Sequence, residues 1–161
     1  MIIRVGNGFD IHRFVADGDP PRTLVLGGVT FDGHRGLVGH SDADVITHVC
    51  AEALLGASGL GDLGSHFPDT DPTWAGVSSL EILRHVTDVV RTAGWDITNI
   101  DVSVIAETPK LAPARDEMQR ILSEIAGCAV TIKGRRAEQL GALGRQEGIA
   151  AFATTCITKR Q

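Results

Sequence analysis

The chain has 161 residues, close to one domain's worth, and 43% of them are apolar, enough to bury a core and to exclude an intrinsically disordered chain. Fifteen basic side chains against twenty acidic ones leave a net charge of −5, so no overall electrostatic pull toward nucleic acid or an anionic membrane is built in. Phosphate chemistry in such a chain must rest on local cations, metal ions or backbone N–H groups.

Ile2 to Val5 reads as a short strand, and Thr23 to Phe31 as two short strands about Gly27-Gly28, with a polar, Pro-bearing loop between. From Ser41 the period changes to 3.6. Val45, Ile46, Val49, Cys50, Ala53 and Leu54 form one stripe, and Ser41 with Asp44 makes a capping-box start. Gly56 to Pro72 is too polar and too rich in breakers for a regular element. Ser78 or Ser79 opens a second helix through Ile82, Leu83, Val86, Val89 and Val90, which ends before Gly94. Ile100 to Ala106 alternates as a strand and stops at Pro109. A third helix runs from about Pro113 to Gly127, with Met118, Ile121, Leu122 and Ile125 on one face. Ala129 to Lys133 and Ile149 to Ile157 are strands, separated by the basic stretch Gly134 to Gln146. This order predicts a single α/β (α+β layered) domain over residues 1–161, helices packed on one face of a mixed sheet. The 19 glycines exceed the usual ~7% share and predict several special turns. Cys50, Cys128 and Cys156 are widely spaced in apolar text, which suits free thiols in a reducing compartment and argues against a disulfide framework. With no apolar run near the ~20 residues of a membrane span and no leader-like start, the expected address is the cytoplasm.

Several residues stand out chemically. In an extended segment Asp10 and His12 point the same way and can meet one metal ion, although a polar loop in which Asp10 caps a turn is the plainer alternative. In His40-Ser41-Asp42-Ala43-Asp44, followed by His48, the i,i+4 spacing puts Asp44 and His48 on one helical face, where a carboxylate can orient the imidazole. Helix capping accounts for Ser41, Asp42 and Asp44 but not for both histidines. Asp10, His12 and His48 together offer one oxygen and two nitrogens, a set that suits zinc and leaves a fourth tetrahedral position open for a substrate oxygen. Asp62, His66, Asp69 and Asp71 lie among glycines, where they could hold polyol hydroxyls or simply form solvated turns. Lys133, Arg135, Arg136 and Arg145 concentrate cations between two strands. They could hold phosphate, with Glu138 binding a hard cation, or form a basic turn balanced by Glu138 and Glu147. Gly6-Asn7-Gly8 lacks the third glycine of a dinucleotide loop, and there is no Walker A text. Gly39-His40-Ser41-Asp42-Ala43 resembles a nucleophile elbow with its last glycine replaced, which keeps a serine hydrolase in view.

Read in order, GNGFDIHRF, LGGV, GLVGHSDADVITH, ALLGASGLGDLGSHFPDTDP, NIDVSVIAETPKL and EQLGALGRQEGIAA resemble the 2-C-methyl-D-erythritol 2,4-cyclodiphosphate synthase family over essentially the whole chain. The resemblance implies an isoprenoid-pathway enzyme that cyclises 4-diphosphocytidyl-2-C-methyl-D-erythritol 2-phosphate with release of CMP. It also implies a homotrimer with active sites between subunits, bound to no nucleic acid or membrane. By position it makes Asp10, His12 and His48 the zinc ligands and Glu138 the ligand of a second ion, Mg2+ or Mn2+. His40 becomes a transition-state stabiliser, with Ser41 beside it at the reacting phosphates. Asp62, Leu63 and Gly64, then Phe67, Pro68, Asp69, Thr70 and Asp71, match the methylerythritol loops. Ala106, Glu107, Thr108 and Pro109, with Lys110, Leu111 and Ala112, match the cytidine segment, and Arg135, Ala137, Ala142 and Arg145 are further substrate-binding positions. The chain departs from the family at Lys133-Gly134-Arg135-Arg136-Ala137-Glu138, where Lys-Ala-Thr-Thr-Thr-Glu is usual, so that Arg136 takes the position of a phosphate-contacting, transition-state threonine. Glu52 stands where Asp is common, and Ala142 where Phe is common. A divergent paralogue that binds metal and cytidine nucleotide with little turnover is therefore the alternative.

Overall fold

In the computed structural model, which describes residues 1–68 and 70–160, the first strand does not stop at Val5 but continues as β1 from Ile3 to Arg13. Gly6 and Gly8, which weaken a strand on propensity, are needed because a helix lies directly on their backbone. A Cβ at Gly6 would sit 2.3 Å from the Ala53 carbonyl oxygen, and one at Gly8 2.4 Å from that of Val49. β2 (Val25–Leu26) and β3 (Val29–Thr30) form a separate ribbon whose turn residues, Gly27 and Gly28, both have positive φ. The helices are α1 (Val45–Ser58), α2 (Leu63–His66), α3 (Ser79–Thr92), α4 (Arg115–Ala126) and α5 (Gly141–Gly144). The remaining strands are β4 (Trp95–Ile105), β5 (Ala129–Arg135) and β6 (Gly148–Lys159).

The main sheet has the order β1-β6-β4-β5, antiparallel except for the parallel pair β4/β5, which α4 connects. α1, α3 and α4 cover one face, as the layered α/β expectation requires. α1 is buried on nearly every side rather than along one stripe, because it is wedged between the sheet and α3. Its N-cap is Asp44, not Ser41. Two regions expected to be irregular contain short helices: α2 with the 3-10 turn Pro72–Trp74, and α5 within the basic stretch. Pro113 sits in a 3-10 turn, so α4 begins two residues later than its proline suggested.

Among the described residues no helix covers the other sheet face. Ile3, Val5, Phe9, Ile11 and Phe152 are about half exposed or more there, and the paired Phe9 and Phe152 rings meet at a tilt of 42° with centroids 4.8 Å apart. Beside them Asp101 accepts from Thr131 Oγ1 and from Lys133 Nζ on the neighbouring strand. The cysteines are free thiols, and burial pushes Cys128 up to about 11. Among the described residues no helix is long and apolar enough to cross a membrane.

Candidate metal centre and substrate cavities

β1 alternates, so Asp10 and His12 both point toward α1, and the close approach at Gly8 brings His48 of α1 onto them. Asp10 Oδ2 lies 2.9 Å from His12 Nε2 and 2.9 Å from His48 Nδ1, and the two imidazole nitrogens are 3.3 Å apart. Burial alone would raise the Asp10 carboxyl, but hydrogen bonds and charge from His12 and His48 hold it well below the usual carboxylate range. Burial likewise works to lower His12, and the hydrogen bond and charge of Asp10 override it, leaving the imidazole above its ordinary value.

The far side of each ring is also held. His12 Nδ1 donates to the Val38 carbonyl at 2.7 Å, because the 36–38 segment runs beside the end of β1, with Val38 N–H donating to Arg13 O and a bridge between Phe14 and Leu37. His48 Nε2 lies 2.9 Å from Ser79 Oγ and 3.1 Å from Ser41 Oγ. The expected partner Asp44 does not orient His48. It is fully buried and committed to the backbone of Gly27, Gly28, Ile46 and Thr47. Ala43, with φ of 60°, separates the two roles, sending Asp42 toward α3 and Asp44 into the core.

One carboxylate oxygen and two imidazole nitrogens within 4.8 Å of one another, with both rings fixed from behind, match the donor chemistry of a three-ligand zinc site. Among the described residues this is the one such cluster of three or more.

The triad opens into a cavity of about 340 Å³. His40, Ser41 and Glu52 line it beside the ligands, while Leu63, Gly64, Phe67, Trp74 and Ile82 form the opposite, largely apolar wall. Glu52 Oε2 accepts from Leu63 N–H at 2.9 Å and so ties α2 to α1. Arg22 donates to the carbonyls of Gly39 and Ser41 and fixes the loop that carries His40. Asp62 and Asp71 behave as turn residues. Asp62 caps α2 through Ser65 and Asp71 caps the 3-10 turn through Thr73 N–H, bonds that hold both carboxyls below their ordinary value. His66 is turned to the Leu60 carbonyl at 2.7 Å. Pro68 and Thr70 belong to the connecting loop and do not line the cavity; Asp69 lies outside the described residues. Trp74, Ile82 and Ser79 also belong to the site, although the sequence pattern marks Ser79 and Ile82 only as helix residues and Trp74 not at all.

A second cavity of about 200 Å³ lies at the carboxyl ends of the parallel strands β4 and β5. Ala106, Glu107, Pro109, Lys110, Leu111 and Ala112 form one side, and Arg115, Arg135 and Arg136 the other. Thr108 lines an adjoining open hollow of about 550 Å³ that shares Pro109 and Lys110 with it. The cation patch expected from the sequence is therefore divided. Lys133 is held by Asp101, and Arg145 pairs with Glu147 at 2.6 Å, while Ala137, Glu138 and Ala142 line neither cavity. Asp10, Ala151, Val104 and Gly134 share one row across the sheet. Three strand spacings, about 14 Å, therefore separate the strand of the first cavity from the edge strand of the second.

Residues 3–158 match the YgbB family. The chain belongs to that family. A 2-C-methyl-D-erythritol 2,4-cyclodiphosphate synthase from Nostoc sp. is 49% identical over 161 residues, 98% of this chain and 94% of the relative. The synthase of the same name from Pseudomonas aeruginosa is 44% identical, covering 98% and 100%. Among solved structures, the bifunctional IspDF of Campylobacter jejuni superposes with a TM-score of 0.91 at 37% identity, over 98% of this chain and 42% of that longer one. IspF of Plasmodium falciparum in complex with CDP gives 0.84 at 31% identity, covering 99% and 97%.

Proposed function

We propose that this YgbB-family chain cyclises 4-diphosphocytidyl-2-C-methyl-D-erythritol 2-phosphate to 2-C-methyl-D-erythritol 2,4-cyclodiphosphate, releasing CMP. The observation that carries the reading is the Asp10–His12–His48 cluster opening onto a cavity with one polar and one apolar wall, in a chain close to half identical to synthases of that name. An oxygen of the 2-phosphate bonds to the β-phosphorus and the bond from that phosphorus to the bridging oxygen breaks, so CMP leaves with the electron pair. Anion attacks anion, and what the protein must supply is alignment and positive charge. A zinc ion at Asp10, His12 and His48 would supply Lewis-acid neutralisation of the attacked phosphate. Glu138, the position for Mg2+ or Mn2+, offers a single exposed carboxylate outside both cavities, and no step is assigned to it.

The chain's own groups do the rest. Ser41 Oγ accepts from Ala43 N–H at 3.2 Å, which leaves its proton for a phosphate oxygen, and His40 stands beside it at the cavity mouth. Leu63, Phe67 and Ile82 give the methylerythritol carbons an apolar wall. Lys110, Arg135 and Arg136 neutralise the nucleotide phosphates, with residues 106–112 taking the cytidine, and the Arg136 guanidinium takes over the role of the usual threonine. We propose a homotrimer acting in the cytoplasm. Two observations support that assembly: the apolar sheet face that no described helix covers, and the placement of the two cavities toward opposite edges of one sheet.

One contact favours a second reading. Ser41 Oγ, His48 Nε2 and Nδ1, and Asp10 are spaced as a hydrolase relay. Against it, Ser79 lies closer to the same nitrogen, and Asp10 is shared between two imidazoles. Chromatographic detection of CMP separates the two. The synthase loses CMP release on chelation and regains it with zinc and Mg2+, whereas an esterase would tolerate chelator and be abolished by Ser41→Ala.

A further inference from the structure

His48 is gripped at both ring nitrogens, and the grip on the far side is made by groups that the reaction does not use. Ser79, the first residue of α3, is fully buried. Its backbone N–H donates to Asp42 Oδ2 at 3.0 Å and its hydroxyl donates to Asp42 Oδ1. A serine hydroxyl has one proton and a carboxylate only accepts. With that proton committed to Asp42, the Ser79 oxygen can only accept from His48, 2.9 Å away, so Nε2 carries an N–H, and Nδ1, which faces Asp10 at 2.9 Å, is the nitrogen that can give up its proton to bind a cation. Ser41 Oγ, 3.1 Å from the same Nε2, can share that proton but already accepts from Ala43 N–H and has no carboxylate behind it.

We propose that Asp42 and Ser79 are positioning residues of the metal site: through the Ser79 hydroxyl, the Asp42 carboxylate fixes His48 with Nδ1 turned to Asp10 and His12. This rests on reading the triad as a cation site. It is the carboxylate–hydroxyl–imidazole form of the outer-shell support that ligating histidines need, and loss of such support weakens metal binding about 10–100-fold. His12 obtains its own support from a backbone carbonyl, which no side-chain substitution removes; His48 depends on two side chains.

The test is zinc affinity of the full chain by chelator competition, in wild type, Ser79→Ala, His48→Ala and the double variant. Ser79→Ala should weaken zinc about 10–100-fold in the wild-type background. In the His48→Ala background it should cost less than about twofold, because the group it acts through is gone. Equal losses in both backgrounds, or no loss in the first, would overturn the proposal. In zinc-loaded, nitrogen-15-labelled protein the His48 Nε2–H should exchange slowly with water, and in Ser79→Ala rapidly. Should Ser79→Ala fail to fold, Asp42→Asn serves in its place, with a severalfold loss expected and an unchanged affinity counting against the relay. A wild-type protein that binds no zinc would remove the cation site and the relay with it, an outcome distinct from a variant that binds as wild type does.

Discussion

Asp44→Ala should be among the most damaging substitutions outside the cavity, and its cost can be built from the structure. The carboxylate accepts five hydrogen bonds, from the N–H groups of Gly27, Gly28, Ile46 and Thr47 and from Thr47 Oγ1, and it joins the β2–β3 turn to the start of α1. Losing the two helix N–H partners is an N-cap deletion worth about 1 kcal/mol. Gly27 N–H and the buried Thr47 hydroxyl are left without partners, at about 1–3 kcal/mol each. Burial pushes the Asp44 carboxyl upward, so truncation also relieves a desolvation penalty that offsets part of this. The net is about 3–5 kcal/mol, a large share of the 5–15 kcal/mol typical of a domain. Asp44→Asn keeps one acceptor but sets an amide N–H2 against the Gly28 N–H or the hydroxyl, and should cost about 1–3 kcal/mol. Urea unfolding at fixed protomer concentration, with unchanged slope, measures both. A loss below about 1 kcal/mol for alanine, or asparagine costing more than alanine, would refute the reasoning.

Gly8→Ala places a Cβ 2.4 Å from the Val49 carbonyl oxygen, so α1 must move off β1; zinc binding and stability should fall together, and retained zinc affinity in a destabilised protein would contradict the packing account. Arg136→Ala should weaken binding of cytidine diphosphate about tenfold and leave zinc affinity unchanged, since the cavities share no residue; calorimetry with each ligand separately checks this. The Lys133 hydrogen bond holds Asp101 below its ordinary value, so the pair's contribution is present above the unfolded carboxyl value near 3.8 and disappears as pH falls through the folded one. As both side chains are over a third exposed, Lys133→Met should cost under about 1 kcal/mol at pH 7 and nothing once the pH lies below the folded carboxyl value, and a cost unchanged in acid would show that the residue acts through packing.

The triad was legible because its members are bound by local geometry: a two-residue strand period for Asp10 and His12, and a helix that carries His48. The length of β1 was not, since Gly6 and Gly8 argue against a strand until the backbone of α1 is seen above them. Choosing between Ser41 and Asp44 as the cap needed the left-handed turn at Ala43, which no pattern in the text announces. Asp42 and Ser79 are 37 residues apart and meet only because α3 starts behind α1. The basic stretch read as one patch because it is contiguous, yet Asp101 and Glu147 claim two of its cations, leaving Arg135 and Arg136 at the cavity.

Phosphorus NMR tests cyclisation at a metal-dependent site most directly. Purified protein incubated with 4-diphosphocytidyl-2-C-methyl-D-erythritol 2-phosphate, zinc and Mg2+ should give CMP and a cyclic diphosphate in equal amounts, both lost on chelation and both lost in His48→Ala. Substrate that stays intact while bound to zinc-loaded protein, or CMP that appears with an open-chain diphosphate, would contradict the account.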